Sequence, residues 1–189
     1  MDCLLNRLFF ISLFFLTQNI FAENFLPLSG VDLLSNKSVT VSVDQKKAVV
    51  AVFLSARCPC SNSHVEELKK LSREYPDFNF VAIHSNTDED STLSIPYFKE
   101  QNFSFPVIED KNTMLADQFK AFKTPHAFVI NAKGDFLYQG GVSNSADCQK
   151  ADRFLLREAL VDIHQNKKVR TPEGRTLGCV IVRKEKNVF

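Results

Sequence analysis

Apolar and polar positions change period several times along the chain. Residues 38–43 (SVTVSV) alternate strictly, the pattern of a strand with one covered face. A polar turn follows, and then residues 48–54 (AVVAVFL) run apolar without a break, as suits a central strand covered on both faces. Val65, Leu68 and Leu71 recur at helical spacing among Glu66, Glu67, Lys69, Lys70 and Arg73. This predicts a helix capped by Ser61 or Asn62 and ended by Pro76. Residues 78–83 (FNFVAI) read as the next strand. A weaker helix over 92–101 opens on Asp88, Glu89, Asp90 and Ser91, an acidic run expected to be solvated. Pro96 is expected to break that helix into short pieces.

The second half reads as an extended segment (105–108), a short helix (114–119), and a hairpin joining 127–130 to 136–139 through Asn131, Lys133 and Gly134. A last helix is predicted over 145–165, with Phe154, Leu155, Leu160 and Ile163 as core candidates. The lead-in around Pro27, Ser29 and Gly30 shows no period, and the tail ends in a short strand-like stretch at 177–182. Strand–helix–strand at the front implies a parallel pair with a right-handed crossover. The hairpin at the back adds antiparallel strands. The fold class is therefore α/β, a mixed sheet with helices on both faces and a strand extension at its N-terminal side. No repeat or linker divides the chain, so one domain over 23–165 is expected, followed by a tail over 166–189.

Composition adds two constraints. Formal net charge is +1, so neither a nucleic-acid partner nor an anionic membrane is indicated. Residues 1–22 have one basic residue, Arg7, then the apolar run LFFISLFFL, and end on Ala22. This reads as a secretory signal, too short an apolar run for a membrane span, so export to the periplasm or another extracytoplasmic space is expected, with no membrane span in the mature chain. Cleavage removes Asp2 with Arg7, leaving the charge unchanged, and takes Cys3 from the five cysteines. Cys58, Cys60, Cys148 and Cys179 remain. A chain of this size needs no disulfide to hold a core, so redox chemistry competes with a structural role for them.

The chemistry-bearing segment is Phe53-Leu54-Ser55-Ala56-Arg57-Cys58-Pro59-Cys60-Ser61-Asn62. A buried strand delivers Cys58 to the start of a helix, where unpaired N–H groups and the helix dipole favour a thiolate. Arg57 offers an adjacent cation and Ser55 a hydroxyl.

This segment resembles the redoxin branch of the thioredoxin superfamily, which includes peroxiredoxins of the alkyl hydroperoxide reductase/thiol-specific antioxidant type and exported thiol–disulfide oxidoreductases. Thr124-Pro125 is similar to the family's cis-proline motif, residues 128–140 to its last two strands, and Thr176-Leu177-Gly178-Cys179-Val180-Ile181 to a Gly-Cys ending seen in one subgroup. The resemblance implies a thioredoxin-like fold, Cys58 as the attacking cysteine, and Thr124 and Pro125 as the substrate-binding surface. It implies disulfide or thiol partners, protein or small-molecule, with peroxides as the alternative substrate, and no bound cofactor. Two departures stand out: only Pro59 separates Cys58 from Cys60, with Arg57 in the usual Trp position, and Ala51 replaces the peroxiredoxin proline while Ser55 stands for its threonine. Cys179, then Cys60, then Cys148 are the expected partners of an oxidised Cys58, with a structural Cys148–Cys179 bridge as the bland alternative.

Three functions stay open at this point: a thiol–disulfide oxidoreductase, a thiol peroxidase with Cys58 as a sulfenic acid, and a metal-binding module using Cys58, Cys60 and His64. His126 follows Pro125 and is read as a strand-start residue. His84 and His164 show no partners in the sequence.

Overall fold

The structure, a computed structural model, describes residues 25–184; the expected signal segment and Cys3 lie outside the described residues. Nine strands and four α-helices follow in the order β1 (Leu28–Asp32), β2 (Lys37–Val41), β3 (Ala48–Leu54), α1 (Pro59–Glu74), β4 (Phe78–His84), α2 (Ser91–Gln101), β5 (Val107–Glu109), α3 (Met114–Gln118), β6 (Lys123–Thr124), β7 (His126–Ile130), β8 (Phe136–Gly140), α4 (Leu155–His164) and β9 (Cys179–Val180). Seven strands form one sheet in the order β2-β1-β5-β4-β3-β7-β8, and β6 and β9 form a separate ribbon.

The unbroken apolar run is the centre of the sheet. Strand β3 is buried at every position, parallel to β4 from Ala48↔Phe78 to Leu54↔His84 and antiparallel to β7. Alternation divides its side chains between two cores. Val50, Val52 and Leu54 face Val65, Leu68 and Leu71 of α1, Phe98 of α2, and Leu156 and Leu160 of α4. Val49, Ala51 and Phe53 face Ala116 of α3, Phe119, Phe128 and Ile181 of the tail. Helices thus lie on both faces, as expected.

Four local differences from the sequence expectations have physical causes. Strand β1 comes from the stretch read as irregular; Gly30 lets it pass close to β5, since a Cβ there would lie 2.5 Å from Ile108 Cγ2. Helix α1 is capped by Cys58 rather than Ser61 or Asn62, with Pro59 in its first turn. Helix α2 continues through Pro96 from its N-cap at Asp90, whose carboxylate accepts from the N–H groups of Thr92 and Leu93. The last helix starts only at Leu155, because residues 145–154 satisfy their backbone locally. Ser143 Oγ accepts from Ser145 N–H at 3.2 Å, Ser145 Oγ from Asp147 N–H at 3.2 Å, and Asn144 Oδ1 from Arg153 N–H at 3.2 Å. A single 3-10 turn, Cys148–Lys150, is the only helical geometry in that stretch.

The tail returns across the domain. Gln139 N–H donates to Pro172 O, Gly174 N–H to Gln139 O, and Ile181 N–H to Phe122 O. Ile181 is 2% exposed within the second core, and Arg183 bonds Asp117 and Ala121 O. This fastening brings Cys179 back to the end of β3.

Candidate active site

Where β3 ends, the chain makes a tight loop through Ser55, Ala56 and Arg57 before Cys58 opens α1. The loop wraps around the carboxylate of Glu89, which is 6% exposed. Glu89 accepts from the Ser55 hydroxyl, from Ala56 N–H at 2.7 Å and from Arg57 N–H at 3.3 Å. Ser55 Oγ in turn accepts from Cys58 N–H at 3.1 Å. The buried carboxylate therefore sets the loop, and the loop sets the cysteine. The sequence places Glu89 in an acidic run expected to be solvated, and the structure buries it. Asp88 pairs with Arg57 at 3.8 Å and Asp90 caps α2, while Glu89 between them turns inward beside His84, whose Nδ1 lies 3.8 Å from its carboxylate.

Cys58 is 2% exposed, and its Sγ is ringed by polar groups. Ser61 N–H donates to it at 3.4 Å, as expected at a helix N-cap, and the thiol donates to Thr124 O at 3.1 Å. No acidic residue stands in the first turn of α1 to compete for the dipole's positive end. Burial by itself pushes the Cys58 thiol up. Hydrogen bonds from the side chain of Cys179, the side chain of Thr124 and the backbone of Ser61 and Cys179 outweigh it, so the net shift is downward. The Thr124 hydroxyl is buried with no other hydrogen-bond partner among the described residues, which leaves it to the Cys58 sulphur.

Arg57 and Ser55 act differently from the sequence expectation. The Arg57 side chain is mostly exposed and paired with Asp88, and Ser55 bonds the Cys58 backbone rather than its sulphur. Thr124 and Pro125 stand beside Cys58, joined by a cis peptide bond. Thr124 pairs with Cys179 across the β6–β9 ribbon. Gly178 makes that approach possible, since a Cβ there would lie 1.9 Å from Thr124 O.

The ribbon completes a group of three: the Sγ atoms of Cys58, Cys60 and Cys179 all lie within 4.8 Å of one another. Their acidities diverge. Burial, then the charge and hydrogen bond of Cys58, push Cys60 up. Burial, then hydrogen bonding and charge from Cys58 and charge from Cys60, push Cys179 up to about 12. One thiolate between two thiols is the arrangement this favours. All three are free thiols, and Cys60 and Cys179 are only partly buried.

His64 does not join them. Its Nδ1 lies 2.7 Å from Cys60 O and its Nε2 2.7 Å from Ser143 Oγ, and burial lowers its pKa. The cluster expected from Cys58, Cys60 and His64 is thus three sulphurs, with Cys179 in the histidine's place. Cys148 lies away from the trio against α1, its N–H donating to Ser63 Oγ at 3.2 Å, and no Cys148–Cys179 bridge is present among the described residues. His126 packs on Phe128 at a ring distance of 4.4 Å, and burial lowers its pKa to about 4. His164 is partnered after all, with Nδ1 2.8 Å from Asp77. Two residues near the sulphur gave no sequence signal: Glu89, and Tyr97 of α2, whose hydroxyl burial pushes up to about 12 with help from the charges of Cys58 and Glu89.

A family model described as thioredoxin-like matches residues 39–136. The thiol–disulfide oxidoreductase ResA of Halalkalibacterium halodurans is 23% identical over 147 residues, which span 73% of this chain and 81% of that protein. Among solved structures, an uncharacterized conserved protein from Geobacillus kaustophilus superposes with a TM-score of 0.76 at 23% identity, covering 87% of this chain and 93% of that one. A hypothetical protein from Sinorhizobium meliloti gives a TM-score of 0.76 at 22% identity, covering 86% and 94%. A secreted disulfide oxidoreductase of Mycobacterium tuberculosis gives 0.52 at 19% identity, covering 61% and 84%. At these identities the solved structures establish a shared fold.

Proposed function

The chain belongs to the thioredoxin-like family, and from that premise we propose that it is a thiol–disulfide oxidoreductase whose nucleophile is Cys58. The observation that carries this reading is a helix-capping cysteine whose pKa is lowered, set between two cysteines whose pKa values are raised. The similarity to ResA, a thiol–disulfide oxidoreductase, supports it.

The chemistry follows thiol–disulfide exchange. The Cys58 thiolate attacks one sulphur of a substrate disulfide; that S–S bond breaks, and the other substrate sulphur leaves as a thiolate and takes up a proton. A second cysteine then loses its proton, attacks Cys58 and releases the remaining substrate thiol, leaving an internal disulfide. Cys179 is the better partner. A Cys58–Cys60 disulfide would have to close over the single residue Pro59, which disfavours Cys60, whereas Cys179 comes across the ribbon on an independent strand. Cys58 is covered, so substrate sulphur approaches between the partly buried Cys60 and Cys179, with Thr124 and Pro125 as the adjoining wall. Substrates are thiols or disulfides of proteins or small molecules. The apolar segment at residues 8–16 supports export of the mature chain, and no helix among the described residues is long and apolar enough to cross a membrane.

Insulin-disulfide reduction by the purified mature protein, run beside a peroxide-consumption assay, tests this. Disulfide turnover abolished in Cys58→Ser supports the proposal. Rapid peroxide consumption without disulfide turnover overturns it in favour of a thiol peroxidase.

A further inference from the structure

The three-sulphur group has a capacity that disulfide exchange does not use. Its members come from three separate positions: the N-cap of α1, the first turn of α1, and strand β9 of the tail. The last is held in place by pairing to Thr124 on one side and by the buried Ile181 on the other. All three sulphurs lie within 4.8 Å of one another with no bond between them. A metal ion bonded to three thiolates at about 2.3 Å needs sulphurs about 4 Å apart, so shifts of less than about 1 Å close the site.

We propose that the reduced protein binds one Cu(I) ion in trigonal coordination by Cys58, Cys60 and Cys179. The donor set selects the ion. An all-sulphur site favours soft metals, Cu(I) and Zn(II) foremost. Structural Zn(II) takes four protein ligands, whereas the group among the described residues has three, and His64 has both ring nitrogens engaged, by Cys60 O and Ser143 Oγ. Three soft donors with no nitrogen suit Cu(I). One sulphur is buried and two are partly exposed, which leaves the ion a route from solvent and a route of exchange onto an incoming thiolate. Loading displaces thiol protons to solvent and changes no oxidation state. Forming a disulfide between any two of the three removes two ligands, so oxidation and copper loading exclude each other.

Anaerobic titration of the fully reduced chain against Cu(I) held by bathocuproine disulfonate reads the site. One equivalent should be withdrawn, with Cys179→Ala losing about tenfold or more in affinity and Cys148→Ala losing none. Loaded protein should resist alkylation at Cys58, Cys60 and Cys179 while Cys148 stays reactive. X-ray absorption of the loaded wild type, which needs no variant to fold, should give three sulphurs at about 2.3 Å. Unchanged affinity in a folded Cys179→Ala, two-sulphur coordination, or no withdrawal of copper would overturn the proposal. Insulin-disulfide turnover by the copper-free protein tests the oxidoreductase reading separately.

Discussion

At the scale of single residues, the proposed nucleophile is positioned through a carboxylate that never touches it. Glu89 gathers the Ser55 hydroxyl and the N–H groups of Ala56 and Arg57, and Ser55 then holds the N–H of Cys58. Glu89→Gln keeps the volume but turns an amide N–H₂ toward groups that are themselves donors. With at least one buried donor left unmatched, the expected loss is about 1–3 kcal/mol in urea unfolding. Disulfide turnover should fall further than the lost stability alone explains, because the loop that orients Cys58 loosens. Unchanged stability and turnover would mean that the carboxylate merely fills space. Sequence reasoning singled out Cys58 because a cysteine where a strand runs into a helix start has a local signature. It missed Glu89 because an inward-turning carboxylate among three acidic neighbours looks like any solvated run; only the fold shows which one turns in.

Among the elements, the β6–β9 ribbon carries Cys179 to the site, and Gly178 is its weak point. Gly178→Ala places a methyl group on Thr124 O and must lift the tail strand from Thr124. The expected result is faster alkylation of Cys58 and slower formation of its disulfide with Cys179, read by mass spectrometry after a brief oxidant pulse. Equal rates in variant and wild type would show that the ribbon does not govern access. Sequence alone resolved β2, β3, α1, β4, α2 and the β7–β8 hairpin, from their period, their unbroken apolar runs or their turn and capping residues. Strand β1 and the late start of α4 escaped because they rest on tertiary contact and local side-chain capping rather than on hydrophobic period. The two-residue strand β9 showed as an extended stretch at 177–182, but nothing local says that it lands on Thr124.

For the molecule as a whole, pairing Cys58 with Cys179, as proposed, would let the tail set the redox balance. Cys58 and Cys179 are nearly the full domain apart in sequence, so a disulfide between them restricts the unfolded chain strongly, on the order of 5 kcal/mol in the chain-entropy account. Because the fold already holds the two sulphurs close, oxidised protein should unfold at a distinctly higher urea concentration than reduced protein. A fold that favours its own disulfide gives a couple of low reduction potential, which works as a reductant of other disulfides. Equal urea midpoints for the two forms would remove that argument and point to a partner other than Cys179.

All of this rests on the sulphur at the head of α1 being the anion of the group. The most direct measurement is the pH dependence of iodoacetamide labelling at each cysteine of the reduced protein, followed by peptide mass spectrometry. Thiolate is the reacting form, so each rate falls as pH drops through that cysteine's pKa. Because the Cys58 pKa is lowered while those of Cys60, Cys148 and Cys179 are raised, the account expects Cys58 labelling to persist to lower pH than the other three, whatever its absolute rate. A Cys58 midpoint at or above those of its neighbours would contradict it.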